Sequence, residues 1–270
     1  MILYRRNKFN INVCGGFSHR QNSKRKMKEK VFKQKRKAWF RGLKQVIKIR
    51  YRRVQFIYLG EKPTEKAIIL SNHVGTDAPL SLEIYADFPI RLWGAYEMNS
   101  GLKKLYKYQT EVYYHQKRGW NLHLARMYCL LASPLTNLFY KGLNLISTYQ
   151  DTRLRKTLDE SFTAISDNGE SIVIFPEDSS DGYCDELKGF HAGFVMLAEK
   201  CLNSGIDVPV YVSYFKKKER QYIFDAPVKY SELKTRFGDR NAIAGYLCDR
   251  CNKIGKMQFE KPKKTKKTNA

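Results

Sequence analysis

Three apolar runs stand out along the chain, each closed by polar or turn-forming residues. They are Ala67–Leu70 before Ser71-Asn72, Ser171–Phe175 before Pro176-Glu177, and Val208–Tyr214. Short runs bounded in this way predict strands buried on both faces. Val54–Leu59, the segment opening at Ile90, Leu143–Ser147 and Tyr222–Phe224 add further strand-like stretches. Between them the apolar period lengthens to that of a helix: Leu80–Tyr85, most of 98–142, Arg153–Asn168 closed by Gly169, His191–Cys201 and Asp239–Ile254. Alternating strands and helices predict an α/β fold, with a mixed, mostly parallel central sheet flanked by helices. In such sheets the loops leaving the strand ends form the ligand crevice.

The ends of the chain follow other rules. Residues 1–23 show no period and predict a flexible lead-in. Over 24–53, Phe32, Trp39, Leu43, Val46, Ile47 and Tyr51 recur at helical spacing with Lys and Arg between them. That pattern predicts a basic amphipathic helix suited to a membrane surface. The folded body is expected over 54–255, and 256–270 is a lysine-rich tail expected to be disordered. The formal net charge of +24 is concentrated at these ends: residues 1–53 hold 19 Lys and Arg against a single Glu, and 256–270 hold six Lys against one Glu. Basic ends on a nearly neutral body suit an anionic membrane surface or nucleic acid. No nucleic-acid recognition motif is present, so nucleic acid ranks last among the partners. The most apolar long stretch, Met127–Ile146, is broken by Ser133-Pro134, Asn137, Lys141, Gly142 and Asn144. It predicts a partly buried or membrane-apposed helix and not a span. Six scattered cysteines and no signal peptide suggest a reduced cytosolic compartment. The lone pair Cys248-Asp-Arg-Cys251 lacks the second pair that a zinc site needs, so no metal is expected.

Two stretches carry candidate chemistry. His73 follows the first apolar run directly, and Asp77 stands four residues on. If that segment is helical, the two side chains share a face and the carboxylate orients the imidazole as a base. The second stretch is Phe175-Pro-Glu-Asp-Ser-Ser180, followed by a helix-like run from Leu187 and by Asp207-Val-Pro-Val-Tyr-Val-Ser213. This order of motifs resembles the glycerolipid acyltransferases of the 1-acylglycerol-3-phosphate type, over about Val54 to Phe224. There an Asn-His motif with a downstream Asp precedes a Phe-Pro-Glu block, a lysine-containing loop, a helix and a Val-Pro-Val strand. The present chain departs from the pattern in three places. Its His–Asp gap is one residue shorter. The family's arginine is absent from Leu143–Tyr149. Asp178-Ser-Ser-Asp181 stands where the family has Gly-Thr-Arg-Ser.

The resemblance implies transfer of a fatty acyl group from acyl-CoA or an acyl-carrier protein to the hydroxyl of a lysophospholipid-like acceptor. The donor would be a substrate, with no cofactor. His73 would be the general base and Asp77 its orienting group. Glu177, Asp178, Ser179, Ser180 and Lys188 would line the acceptor side. It further implies a peripheral protein on the inner, cytoplasmic face of a membrane. The alternative is a catalytically silent lipid-binding protein on the same fold. The acidic loop of Asp178, Asp181, Asp185 and Glu186 predicts that glycerol 3-phosphate is a poor acceptor, unless a basic group from another segment compensates.

Overall fold

The computed structural model describes residues 36–64, 66–178 and 184–260. Among these, eight strands form one sheet: β1 (Gln55–Tyr58), β2 (Ile68–Ser71), β3 (Ile90–Ala95), β4 (Ile146–Thr148), β5 (Ser171–Ile174), β6 (Pro209–Lys216), β7 (Gln221–Phe224) and β8 (Val228–Lys229). The order across the sheet is β1-β7-β6-β2-β5-β3-β4, with β8 pairing β6. Pairing is parallel from β6 through β2, β5 and β3 to β4, and again between β1 and β7. It is antiparallel where β6 meets β7 and β8. The molecule is thus α/β, with a mostly parallel mixed sheet flanked by helices, as the alternation of periods predicts. The lead-in 1–23, the front of the predicted basic helix and most of the lysine-rich tail lie outside the described residues.

β2 occupies the middle of the sheet, and every residue from Ala67 to Asn72 is buried. The pleat divides its side chains between two cores. Ile68 and Leu70 join Ile172, Ile174, Val210 and Val212 on the face covered by α6 (Leu154–Ser166), α7 (Gly193–Asn203) and α9 (Arg240–Lys256). Ile69, Val173, Tyr211 and Phe215 face the other way, toward Phe40, Leu82 and Phe88. That second face is covered by α1 (Ala38–Arg50), α2 (Asp77–Tyr85) and the end of α5 (Leu122–Leu143).

Two elements differ from expectation. The basic amphipathic helix predicted over 24–53 does not run through residues 36 and 37, which are not helical; α1 begins at Ala38. Lys37 is extended at the helix start, and Arg36 before it turns inward and forks onto buried Glu83, with Nε to Oε1 at 3.2 Å and Nη2 to Oε2 at 3.0 Å. Lys44 reaches the same carboxylate at 2.9 Å. Of the predicted apolar stripe, Trp39 and Val46 are exposed and Leu43, Ile47 and Tyr51 half-buried, while Phe40, outside that stripe, is fully buried. The second difference lies in 98–142, where α3 (Tyr96–Asn99) and α4 (Leu102–Lys107) run into a π-helix over Tyr108–Lys117 before α5. No helix among the described residues is long and apolar enough to cross a membrane.

Candidate functional site

His73 leaves the C-terminal end of the central strand, and the neighbouring strands fix where it goes. Asn72 continues the ladder with its side chain: Nδ2 donates to the Phe215 carbonyl at 3.2 Å, and the Phe215 N–H donates to Oδ1 at 2.7 Å. Beyond it the chain turns sharply, with Val74 at φ 41° and Gly75 at φ 63°. A β-branched residue in the left-handed region is strained and persists only where its surroundings hold it there. Glu177 supplies part of that hold. It stands just beyond β5, the strand beside β2, and its Oε2 accepts the His73 backbone N–H at 2.9 Å. The Cys184 backbone N–H also reaches this carboxylate. The segment after Phe175 is itself pinned: Glu177 bridges Phe190, Asp178 N–H donates to the Gly189 carbonyl and His191 N–H to the Pro176 carbonyl.

The His73 ring packs edge-on against Phe175, with centroids 5.0 Å apart. Burial, reinforced by the Lys117 charge, holds its pKa down at about 4, against the pull of the Gly75 and His73 backbone. The imidazole is therefore neutral at pH 7, the form a general base requires. Burial raises the Glu177 pKa, with the hydrogen bonds from His73 and Cys184 and the Lys117 charge opposing it.

Asp77 lies elsewhere. α2 starts at Asp77, so His73 stands outside the helix and the shared-face geometry of an i, i+4 pair does not arise. The Asp77 carboxylate takes a hydrogen bond from the Tyr51 hydroxyl at 3.1 Å and an ion pair with Lys217 at 2.8 Å, with Arg220 at 4.0 Å. The orienting role predicted for it does not match these contacts. Of the other predicted residues, Asp178 is half-buried and Lys188 exposed, and Ser179 and Ser180 lie outside the described residues. Glu186 of the acidic loop is ion-paired to Lys256 at 2.8 Å.

The π-helix brings the cations that the sequence reading did not find. A Cβ added at Gly75 would lie 3.6 Å from Arg118 Nη2 and 3.8 Å from the Tyr113 hydroxyl, which Arg118 itself contacts at 2.9 Å. Lys117, one residue before Arg118, acts electrostatically on both His73 and Glu177. The only hint in the sequence was Gln-Lys-Arg-Gly119, a basic turn some forty residues from His73. π-helical turns are rare and recur at functional sites. Arg91, another candidate cation, is instead tied to Glu160 at 2.5 Å and to Glu170 at 3.9 Å. Cys248 and Cys251 are free, buried thiols whose sulfurs contact the Leu187 and Ser213 carbonyls. When the sequence is compared with family models and with curated proteins, none of them matches.

Proposed function

We propose that the chain is a glycerolipid-type O-acyltransferase working at a membrane surface, with acyl-CoA or acyl-carrier protein as donor and a lysophospholipid-like hydroxyl as acceptor. One observation supports this most. His73 and Glu177, 104 residues apart in two separate motifs, meet at adjacent strand ends around a neutral imidazole. In this reading His73 takes the proton from the acceptor hydroxyl as its oxygen attacks the thioester carbonyl. The tetrahedral intermediate collapses, the C–S bond breaks, and the imidazolium returns the proton to the departing thiolate. No acyl-enzyme forms. The oxyanion needs N–H donors. Among the described residues the Asp178 N–H is already committed to Gly189, and in this reading the turn at Val74-Gly75 supplies the donors. Lys117 and Arg118 offer an anionic head group the positive charge that the loop after Glu177 lacks.

The test is turnover. Purified protein is incubated with labelled acyl donors and a panel of lysolipids and glycerol 3-phosphate, and the product is identified. Transfer that His73→Ala lowers by roughly 10²–10⁴-fold supports the reading. A folded protein that consumes no thioester with any acceptor points to the second reading, a silent lipid-binding protein. The engagement of Asp77 with Tyr51 and Lys217, away from His73, favours that alternative.

A further inference from the structure

α5 is built inside out. Over most of its length the inward positions are small or polar: Ala125, Cys129 and Ser133 are buried, Ser133 Oγ donates to Gln109 Oε1 of the π-helix at 2.7 Å, and a large apolar side chain, Leu143, is fully turned in only at the end. Five long apolar side chains point away from the body. Leu124, Met127, Leu131, Leu135 and Leu138 recur at intervals of three or four, so they form one stripe along the helix. All five are exposed, Leu131 at 79% and Leu135 at 72%. At about 1.5 Å per residue the stripe from Leu124 to Leu138 is about 21 Å long, and a contiguous apolar ridge of that length marks an interaction surface.

The charges around the ridge say what covers it. α5 carries no Asp or Glu; its formal charges are Arg126 and Lys141, one toward each end. α4 alongside adds exposed Lys103, Lys104 and Lys107. Trp120 and Tyr128 at the leading end are exposed aromatics of the kind that sit at a lipid–water boundary. An apolar stripe with cationic margins and aromatic anchors is complementary to an anionic bilayer, on which a helix interrupted by Ser133-Pro134 and Asn137 lies flat. We infer that α5 is a membrane-docking element whose leucine ridge inserts among the acyl chains of an anionic leaflet. The π-helix that α5 packs on also carries Tyr113, which reaches the His73 turn, so docking sets the candidate site beside the lipid. The inference shares only the lipid with the acyl-transfer reading. Vesicle binding is measured without turnover, so either can fail alone.

The test uses the full chain in a flotation assay, with vesicles of phosphatidylglycerol and phosphatidylcholine against vesicles of phosphatidylcholine alone. The double variant Leu131→Ser/Leu135→Ser is expected to bind the anionic vesicles at least about tenfold more weakly, with unchanged thermal melting. Unchanged binding overturns the inference. A wild-type dimer in the absence of lipid that the same variant dissociates also overturns it, because a second copy then covers the ridge. A nitroxide on Leu131→Cys, with Cys14 and Cys184 replaced, reads the wild-type surface directly. It is expected to pass from water-accessible to lipid-accessible when vesicles are added, and continued access to water overturns the proposal.

Discussion

A histidine whose pKa lies near 4 is already deprotonated through the physiological range, and this makes its role measurable. Between about pH 4 and pH 6.5 the unfolded chain binds a proton at position 73 that the folded chain does not. The folded-state pKa is depressed, so this histidine makes stability rise with pH through that window and fall as pH drops. His73→Gln should therefore flatten the acid side of the stability curve, read by denaturant titration across the window. If His73 is the base, the acid limb of kcat/KM lies below the ordinary histidine range. Lys117→Ala, by removing a neighbouring positive charge, should move that limb upward. A limb at the ordinary histidine value in the wild-type chain means that another group titrates. Glu177 and Asp77 separate in the same way. Glu177→Ala leaves the His73 and Cys184 N–H groups without their acceptor and should cost about 1–3 kcal/mol by thermal melting, whereas Glu177→Gln keeps an acceptor and most of the stability. Asp77→Asn disturbs a pair whose lysine is 62% exposed, so its effect on stability should stay within about 1 kcal/mol. Loss of activity as deep as that of His73→Ala would show that Asp77 leaves Tyr51 and Lys217 during turnover.

At the level of elements, α1 and α5 meet in a close joint. A Cβ built at Gly142 falls 1.9 Å from the Phe40 ring, so α5 has a glycine where the α1 phenylalanine lies across it. Gly142→Ala should cost about 1–3 kcal/mol by overpacking, and Phe40→Leu in the same chain should recover part of that loss, both read by melting. A Gly142→Ala protein as stable as the parent would show that the ring has room to move. This joint also marks how far the sequence was legible. The strands at 67–71 and 171–174 were clear because a strand buried on both faces is apolar throughout. α5 was legible as a helix, but which face looked inward was not, since hydrophobicity normally points to the core and from Leu124 to Leu138 it points out. The π-helix escaped because its wider turn leaves no repeat that a period of 3.6 detects, and it carried Lys117 and Arg118 out of sight with it. The pairing of His73 with Asp77 failed for a local reason: spacing four implies a shared face only inside a helix, and two left-handed residues intervene.

For the whole molecule, the net charge of +24 and the placement of α1 have to be read together. Arg36 and Phe40 belong to the folded body through Glu83 and Gly142. Deleting residues 1–53 would therefore strip the core as well as the charge, leaving Glu83 with neither Arg36 nor Lys44. Deleting residues 1–35 removes none of the described structure yet takes away 11 of the 50 Lys and Arg. The shorter deletion should melt like the full chain and bind anionic vesicles more weakly, with a shallower dependence on salt. The longer one should melt at a markedly lower temperature or fail to fold. Equal melting of the two would mean that α1 is an accessory of the fold and not part of it.

The clamp at Asn72 has a further consequence, for how the protein ages. An asparagine degrades when the backbone nitrogen of the next residue attacks its side-chain amide carbon and closes a five-membered ring. At this position both reactants are held: the amide is paired to Phe215 at its oxygen and its nitrogen, and the following nitrogen is spent on Glu177. Deamidation here would also place a carboxylate against the Phe215 carbonyl and break the strand end that carries His73. On prolonged incubation at mildly alkaline pH, mass mapping should therefore find Asn72 intact after asparagines elsewhere in the chain have converted. Early conversion at Asn72 would mean that the strand end opens far more often than its hydrogen bonds imply. Loss of Glu177, by freeing the attacking nitrogen, should shorten the chemical lifetime of the site as well as loosen it.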